Sequence, residues 1–156
     1  MDCLVFRSRS PSETRRLGAR LGRLLQVGDV ILLMGDLGAG KTVLAQGIGQ
    51  GLEVRDPVRS SAFVLMSEYS GRLTMYHADL YRLEDASQVA ELALEENAAD
   101  GVLVVEWPDR AWEEMPPEHL LVHLEWADSR GRRLTLRPRG TRYRELMQRL
   151  GRRRRG

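Results

Sequence analysis

The chain is almost without lysine. Of its 24 Lys+Arg residues, 23 are arginine and one, Lys41, is lysine. Asn97 is the single asparagine and Ile31 and Ile48 are the only isoleucines, so residues with AT-rich codons are depleted together, as a GC-rich genome would produce. Under that pressure a retained lysine marks a position where arginine will not serve. Cysteine is nearly absent too. The lone Cys3 cannot close an internal disulfide, which excludes a disulfide-stapled fold and points to a reducing compartment. No segment approaches the ~18 apolar residues of a membrane span. The opening residues do not read as a secretory leader, and a cytoplasmic protein is expected. Internal repeats are lacking. At 156 residues the chain is expected to form one domain, about residues 1–150, with an Arg-rich tail at 151–156.

Lys41 lies in Gly35-Asp36-Leu37-Gly38-Ala39-Gly40-Lys41-Thr42. This run fits G-x-x-x-x-G-K-[ST], the phosphate-binding P-loop. A compact ammonium fits between β- and γ-phosphates where a guanidinium fork is too broad. The flanks have the order the motif requires. Asp29 to Met34 is a continuous apolar run suited to a strand buried on both faces. Val43 to Ile48 follows with Leu44 and Ile48 four apart on one helical face. The loop amides and the helix N-terminus would then bind an anion. Asp36, Leu37, Gly38, Ala39, Gly40, Lys41, Thr42 and Val43 are the expected nucleotide-binding stretch. Thr42 would place its hydroxyl on Mg²⁺.

The rest reads as alternating α/β. Leu4 to Phe6 predicts a first strand. Ser10-Pro11-Ser12-Glu13 is a capping box with proline at N1, opening a helix with Leu17, Leu21, Leu24 and Leu25 on one face. Ala62–Glu68 and Leu73–His77 predict a hairpin turning at Ser70-Gly71. A helix is expected from Ala86 to about Leu94, then a buried strand at Val102–Val105 and a loop at Trp107–Pro117. A second hairpin joins Leu120–Trp126 to Arg133–Leu136. Tyr143, Leu146, Met147 and Leu150 recur at helical spacing. The expected fold is a P-loop NTPase with a mostly parallel central sheet flanked by helices, plus antiparallel edge strands.

A P-loop fold needs an acid at the end of a nearby strand to hold Mg²⁺, directly or through water. Glu106 follows four apolar residues in the manner of a Walker B strand. Asp79 follows Met75-Tyr76-His77-Ala78. Both are candidates, against the plainer roles of a solvated strand end for Glu106 and a turn residue for Asp79. Charge is unevenly spread. Arg130 to Gly156 carries twelve arginines and one acid, +11, while residues 1–129 carry the other twelve basic residues and 21 acids, −9. The basic end suits RNA or an acidic partner, and equally a solvated arginine surface.

Three stretches together carry a resemblance. The P-loop at Gly35–Thr42, the run Tyr76-His77-Ala78-Asp79-Leu80-Tyr81-Arg82-Leu83 and Val105-Glu106-Trp107-Pro108 resemble the TsaE (YjeE) family, with order and spacing agreeing over about residues 10–130. The resemblance implies a small P-loop ATPase that binds ATP and Mg²⁺. It implies work with TsaB and TsaD in placing a threonylcarbamoyl group on an adenine of certain tRNAs. It assigns Lys41 and Thr42 to the phosphates and metal, Asp79 to the Mg²⁺-linked acid and Glu106 to the acid needed for turnover. Trp107 becomes the aromatic beside the nucleotide. The family's Ser-Pro-Thr-Phe reads Ser60-Ser61-Ala62-Phe63 here, so a threonine that could approach the metal is missing.

Other classes fit less well. A Ras-like GTPase would need N-K-x-D, which one asparagine and one lysine far apart do not form. An L-S-G-G-Q-like signature is absent. A small-molecule P-loop kinase and a nucleotide-switched RNA-binding adaptor remain as alternatives. The sequence singles out no arginine finger: Arg55, Arg59, Arg72, Arg82 and Arg110 are all candidates in cis, and a partner could supply one in trans.

Overall fold

The computed structural model describes residues 3–59 and 66–153. The chain folds into a seven-stranded sheet, β1 (Leu4–Ser8), β2 (Val30–Gly35), β3 (Met66–Tyr69), β4 (Met75–Asp79), β5 (Val102–Glu106), β6 (His119–Trp126) and β7 (Arg132–Arg139). The strand order is β1-β7-β6-β2-β5-β4-β3. The sheet is mixed: three pairings are parallel (β6·β2, β2·β5, β5·β4) and three antiparallel (β1·β7, β7·β6, β4·β3). The four inner strands therefore point the same way, and both edges are hairpin-built. Both hairpins appear where turn residues predicted them, although Ala62 to Leu65 lie outside the described residues. The second hairpin is longer than expected and takes in Pro138. That proline pairs with Leu120, beyond the last described β1 pair, Leu4 with Leu136.

Helices cover both faces. α1 (Pro11–Leu24), α2 (Lys41–Gly51) and α5 (Thr141–Arg153) lie on one. There Leu21, Ile31, Leu33, Leu44, Ile48, Leu146 and Leu150 share a core. α3 (Ser87–Leu92), α4 (Leu94–Asn97) and a 3-10 segment (Pro108–Glu114) contribute to the other, around Leu32, Ala78, Leu103 and Val105. α1 is capped as expected: Ser10 accepts from the Glu13 N–H at 3.1 Å. The glutamate reaches back one residue further than a standard box, to the Arg9 N–H at 2.7 Å. The single helix expected at Ala86–Leu94 is broken at Ala93 (φ 44°). In a continuous helix Val89 and Leu94 would diverge by about 140°; the break lets both enter the core.

α1 and α2 pack backbone to backbone. A methyl on Gly18 would meet the Leu44 carbonyl at 2.6 Å and the Gly47 Cα at 2.9 Å. Close packing here anchors α2, and with it the loop before it, to the sheet. Among the described residues no helix is long and apolar enough to cross a membrane.

Candidate functional site

The four parallel strands β6, β2, β5 and β4 bring their carboxyl ends to one edge, the usual ligand edge of an α/β sheet. β2 runs into the Gly35–Gly40 loop, and α2 begins at Lys41. Glycine is required where the loop enters the helix: Gly40 has φ 106° and Gly38 φ 80°, both left-handed. The Ala39 N–H donates to the Asp36 carbonyl at 3.0 Å and the Leu44 N–H to Gly40 at 2.9 Å, closing the turn and starting the helix.

Lys41 folds back over the loop. Its Nζ donates to the Gly35 carbonyl at 2.6 Å and the Asp36 carbonyl at 2.8 Å, and stands 4.1 Å from the Trp107 ring centre. The residue is only 5% exposed. Burial pushes its pKa below the usual lysine value, with the carboxylates of Glu106, Asp109, Asp36 and Asp79 opposing that shift. The ammonium is thus held by two backbone carbonyls and an aromatic face.

β5 supplies the acid. Glu106 is buried, yet both carboxylate oxygens are used. Oε1 accepts from the Thr42 hydroxyl at 2.9 Å and Oε2 from His77 Nε2 at 2.6 Å. Parallel pairing sets Asp79 directly opposite Glu106, so both acids project from one face of the sheet, with His77 two residues earlier on β4. Asp79 is half-buried and accepts from the Tyr81 N–H at 3.1 Å. The structure brings Lys41, Thr42 and Glu106 together and sets Asp79 on the neighbouring strand. Trp107 has φ 59° and ψ 48°, a strained backbone for an aromatic residue. That left-handed turn aims the indole back over Lys41, where it also meets Tyr81 at 4.9 Å.

Among the described residues no group of three His, Cys, Asp or Glu could cage a metal. A hydroxyl and one or two carboxylates are nevertheless the donors Mg²⁺ takes when phosphates and water complete its shell. Thr42, Glu106 and Asp79 fit that ion by chemistry.

Of the five arginines, Arg110 alone stands against this site among the described contacts, 5.4 Å from the Tyr81 ring and 5.8 Å from Trp107. Arg72 is tied to the Gly22 carbonyl at 2.9 Å, and Arg55, Arg59 and Arg82 are exposed. The segment Ser60-Ser61-Ala62-Phe63, with its missing threonine, lies outside the described residues. Sequence reasoning gave His77 no role. Its signals are its place in the Tyr76–Leu83 run and the alternation that puts it on the same strand face as Asp79.

The sequence profile described as "Threonylcarbamoyl adenosine biosynthesis protein TsaE" matches residues 8–134. The chain belongs to the TsaE family. A relative from Bacillus subtilis, named tRNA threonylcarbamoyladenosine biosynthesis protein TsaE, is 37% identical over 154 residues, covering 97% of this chain and 96% of its own. Proteins of the same name from Treponema pallidum (37% over 130 residues, 83% of this chain and 96% of that protein) and Nostoc (42% over 131 residues, 80% of each) are also similar. A crystal structure of Bacillus subtilis YdiB superposes with TM-score 0.79 at 32% identity, covering 96% of this chain and 95% of that one. The TsaE match spans the loop, β4, β5 and Trp107 alike.

Proposed function

We propose that this TsaE-family chain is a P-loop, Mg²⁺-dependent ATPase that serves tRNA N6-threonylcarbamoyladenosine synthesis together with TsaB and TsaD. The observation that carries the reading is the Thr42–Glu106 hydrogen bond of 2.9 Å, which ties the first turn of the phosphate-loop helix to the acid of the adjacent strand. The pathway follows from the names of the relatives.

Phosphoryl transfer rests on positioning and charge stabilisation. The loop amides and the α2 N-terminus bind the phosphates. Lys41 exchanges its two loop carbonyls for phosphate oxygens, a stronger charge-assisted pairing. Thr42, Glu106 and Asp79 would hold Mg²⁺, which when bound supplies charge neutralisation on the phosphate oxygens. Glu106 orients the attacking water, and His77 keeps its carboxylate aimed by holding Oε2. Trp107 covers the ammonium and keeps bulk water from it. Arg110 stands beside these aromatics as the cis cation. The exposed arginines of β7 and α5 (Arg137, Arg139, Arg144, Arg149, Arg152) are the surface proposed to meet tRNA, while Arg142 is spent on Asp29.

Phosphate release from ATP tests the reading. Mg²⁺-dependent release supports it, and transfer to a small metabolite instead of water would favour a kinase.

A further inference from the structure

A second concavity lies at the opposite end of the sheet from the phosphate loop. It has a volume of about 310 Å³ and is lined, where β2 and β5 begin, by Asp29, Val30 and Leu103. At ~3.3 Å of rise per residue, the length of β2 sets Val30 roughly 17 Å from Gly35. The apolar lining is Ala98 and Ala99, which follow α4, and Pro116 and Pro117, which precede β6. Three carboxylates line it as well. Asp29 is fully used, by the Arg142 guanidinium at 2.9 and 2.7 Å and the Gln26 N–H at 2.7 Å. Glu95 and Glu118 are exposed and hold no ion pair among the described residues. Glu118 packs against the turn into α5, where a methyl on Gly140 would meet its Cδ at 3.0 Å and its Oε2 at 3.2 Å. The remaining polar group is Tyr143, only 4% exposed. Its hydroxyl accepts from the Val30 N–H at 2.8 Å. Burial pushes its pKa up to about 12, so the hydroxyl keeps its own proton. Among the described residues that proton meets no acceptor.

We infer that this cavity takes a basic residue of a partner protein, with its cationic head on Glu95 and Glu118, its stem on the alanines and prolines, and its main-chain carbonyl on the Tyr143 hydroxyl. The site stands apart from the phosphate loop and does not depend on what that loop binds. Two carboxylates without an ion-pair partner favour a cation, and the nearby Asp29 adds to the field that repels an anion. RNA phosphates and carboxylate ligands are therefore poor occupants. A bare cation is incomplete too, because ammonium and guanidinium groups only donate, and Tyr143 also has a proton to donate. The complement is one group that joins a cation, a hydrocarbon stem and a neutral carbonyl. Arginine or lysine within a polypeptide is such a group, and both lay their stems on apolar surface. Arginine is the better fit, because its planar fork can serve two carboxylates where an ammonium is a point charge. Val27, 55% exposed and next to the lining Gly28, offers apolar surface to the flanking chain of the partner.

The probe is the capped tripeptide acetyl-Gly-Arg-Gly-amide, titrated into the full chain and followed by backbone amide chemical shifts. Agmatine supplies the guanidinium without the carbonyl, and acetyl-Gly-norleucine-Gly-amide the carbonyl without the charge. The arginine peptide should saturate shifts at Gly28, Val30, Glu95, Ala99 and Glu118. It should bind roughly tenfold tighter than the norleucine peptide and at least about threefold tighter than agmatine. Joint replacement Glu95→Gln and Glu118→Gln should weaken the arginine peptide roughly tenfold. Tyr143→Phe should weaken it about threefold or more and leave agmatine unchanged. Circular dichroism checks that the variants fold; should Tyr143→Phe not fold, the preference of wild type for the peptide over agmatine carries the same test. Absence of saturable shifts at these residues overturns the inference. Agmatine or spermidine binding as tightly as the arginine peptide overturns it in favour of a free-cation site, and an equally tight norleucine peptide in favour of an apolar cleft. Unchanged affinity in the two-glutamine variant overturns it as well.

Discussion

Replacing Glu106 by glutamine removes one charge from the site and almost nothing from its shape. The carboxylate accepts from the Thr42 hydroxyl at 2.9 Å and His77 Nε2 at 2.6 Å. A glutamine can still accept from Thr42 with its oxygen. Its amide nitrogen then faces His77, which must move its proton to Nδ1 and accept instead. Two charge-assisted hydrogen bonds become neutral ones, at a cost of about 1–3 kcal/mol in stability. A domain with a net stability of about 5–15 kcal/mol survives that loss. Turnover suffers more, because the amide can neither take a proton from water nor supply charge to the metal shell. Loss of a positioned acid–base group costs roughly 10²–10⁴-fold in rate. The assay is single-turnover phosphate release at saturating Mg-ATP, with nucleotide affinity measured alongside. Glu106→Gln should retain nucleotide and release phosphate at least about 100-fold more slowly. Release within about threefold of wild type, with the variant folded, would refute the role of Glu106.

Asp79→Asn should weaken Mg-ATP binding while sparing metal-free ATP, measured by titration with and without Mg²⁺; equal affinities to wild type in both would remove Asp79 from the metal site. Arg142 donates to Asp29 at 2.9 and 2.7 Å, with Asp29 only 3% exposed. Arg142→Ala strands that carboxylate and should cost about 3 kcal/mol in urea unfolding; a loss under about 1 kcal/mol would mean that water solvates Asp29. Buried His119 has its pKa lowered by desolvation, with the Pro116 carbonyl opposing and Arg139 assisting that shift. The unfolded chain therefore binds a proton there first. Stability is full above the ordinary value of 6.5 and falls as pH drops below it. Thermal melts between neutral and mildly acidic pH should show a shallower decline in His119→Gln than in wild type, and parallel declines would contradict the assignment.

The loop, its helix and the Glu106 strand are legible in the sequence because they are local. A motif, a continuous apolar run and a terminal acid are contiguous signals, and Lys41 stands out against an arginine background. What the sequence concealed is set by pairing between distant strands. His77 meets Glu106 only because β4 lies parallel to β5 in one register. Trp126 and Arg132 reach the loop tip only because β6 lies beside β2. The mixed sheet has the same origin: apolar runs do not state their direction, and the hairpins at both edges raise the antiparallel share to half of the pairings. The Arg-rich end forms one block in the sequence, but its members separate in the fold. Arg142 is bound to Asp29, Arg132 stacks on Trp126 and Arg133 lies 3.5 Å from Glu125.

Nucleotide turnover is proposed to need partners for its completion. Asp79 and Trp107 are only half-buried at the carboxyl ends of the inner strands, and closing that end against water is what a partner surface would add. The measurement is steady-state phosphate release by wild type and Lys41→Ala, each alone and with the TsaB–TsaD pair of the same organism. Wild type should release phosphate slowly alone and clearly faster with the pair, and Lys41→Ala should show no release above background in either condition. Turnover by Lys41→Ala equal to wild type, or a wild-type rate indifferent to TsaB–TsaD, would contradict the proposal.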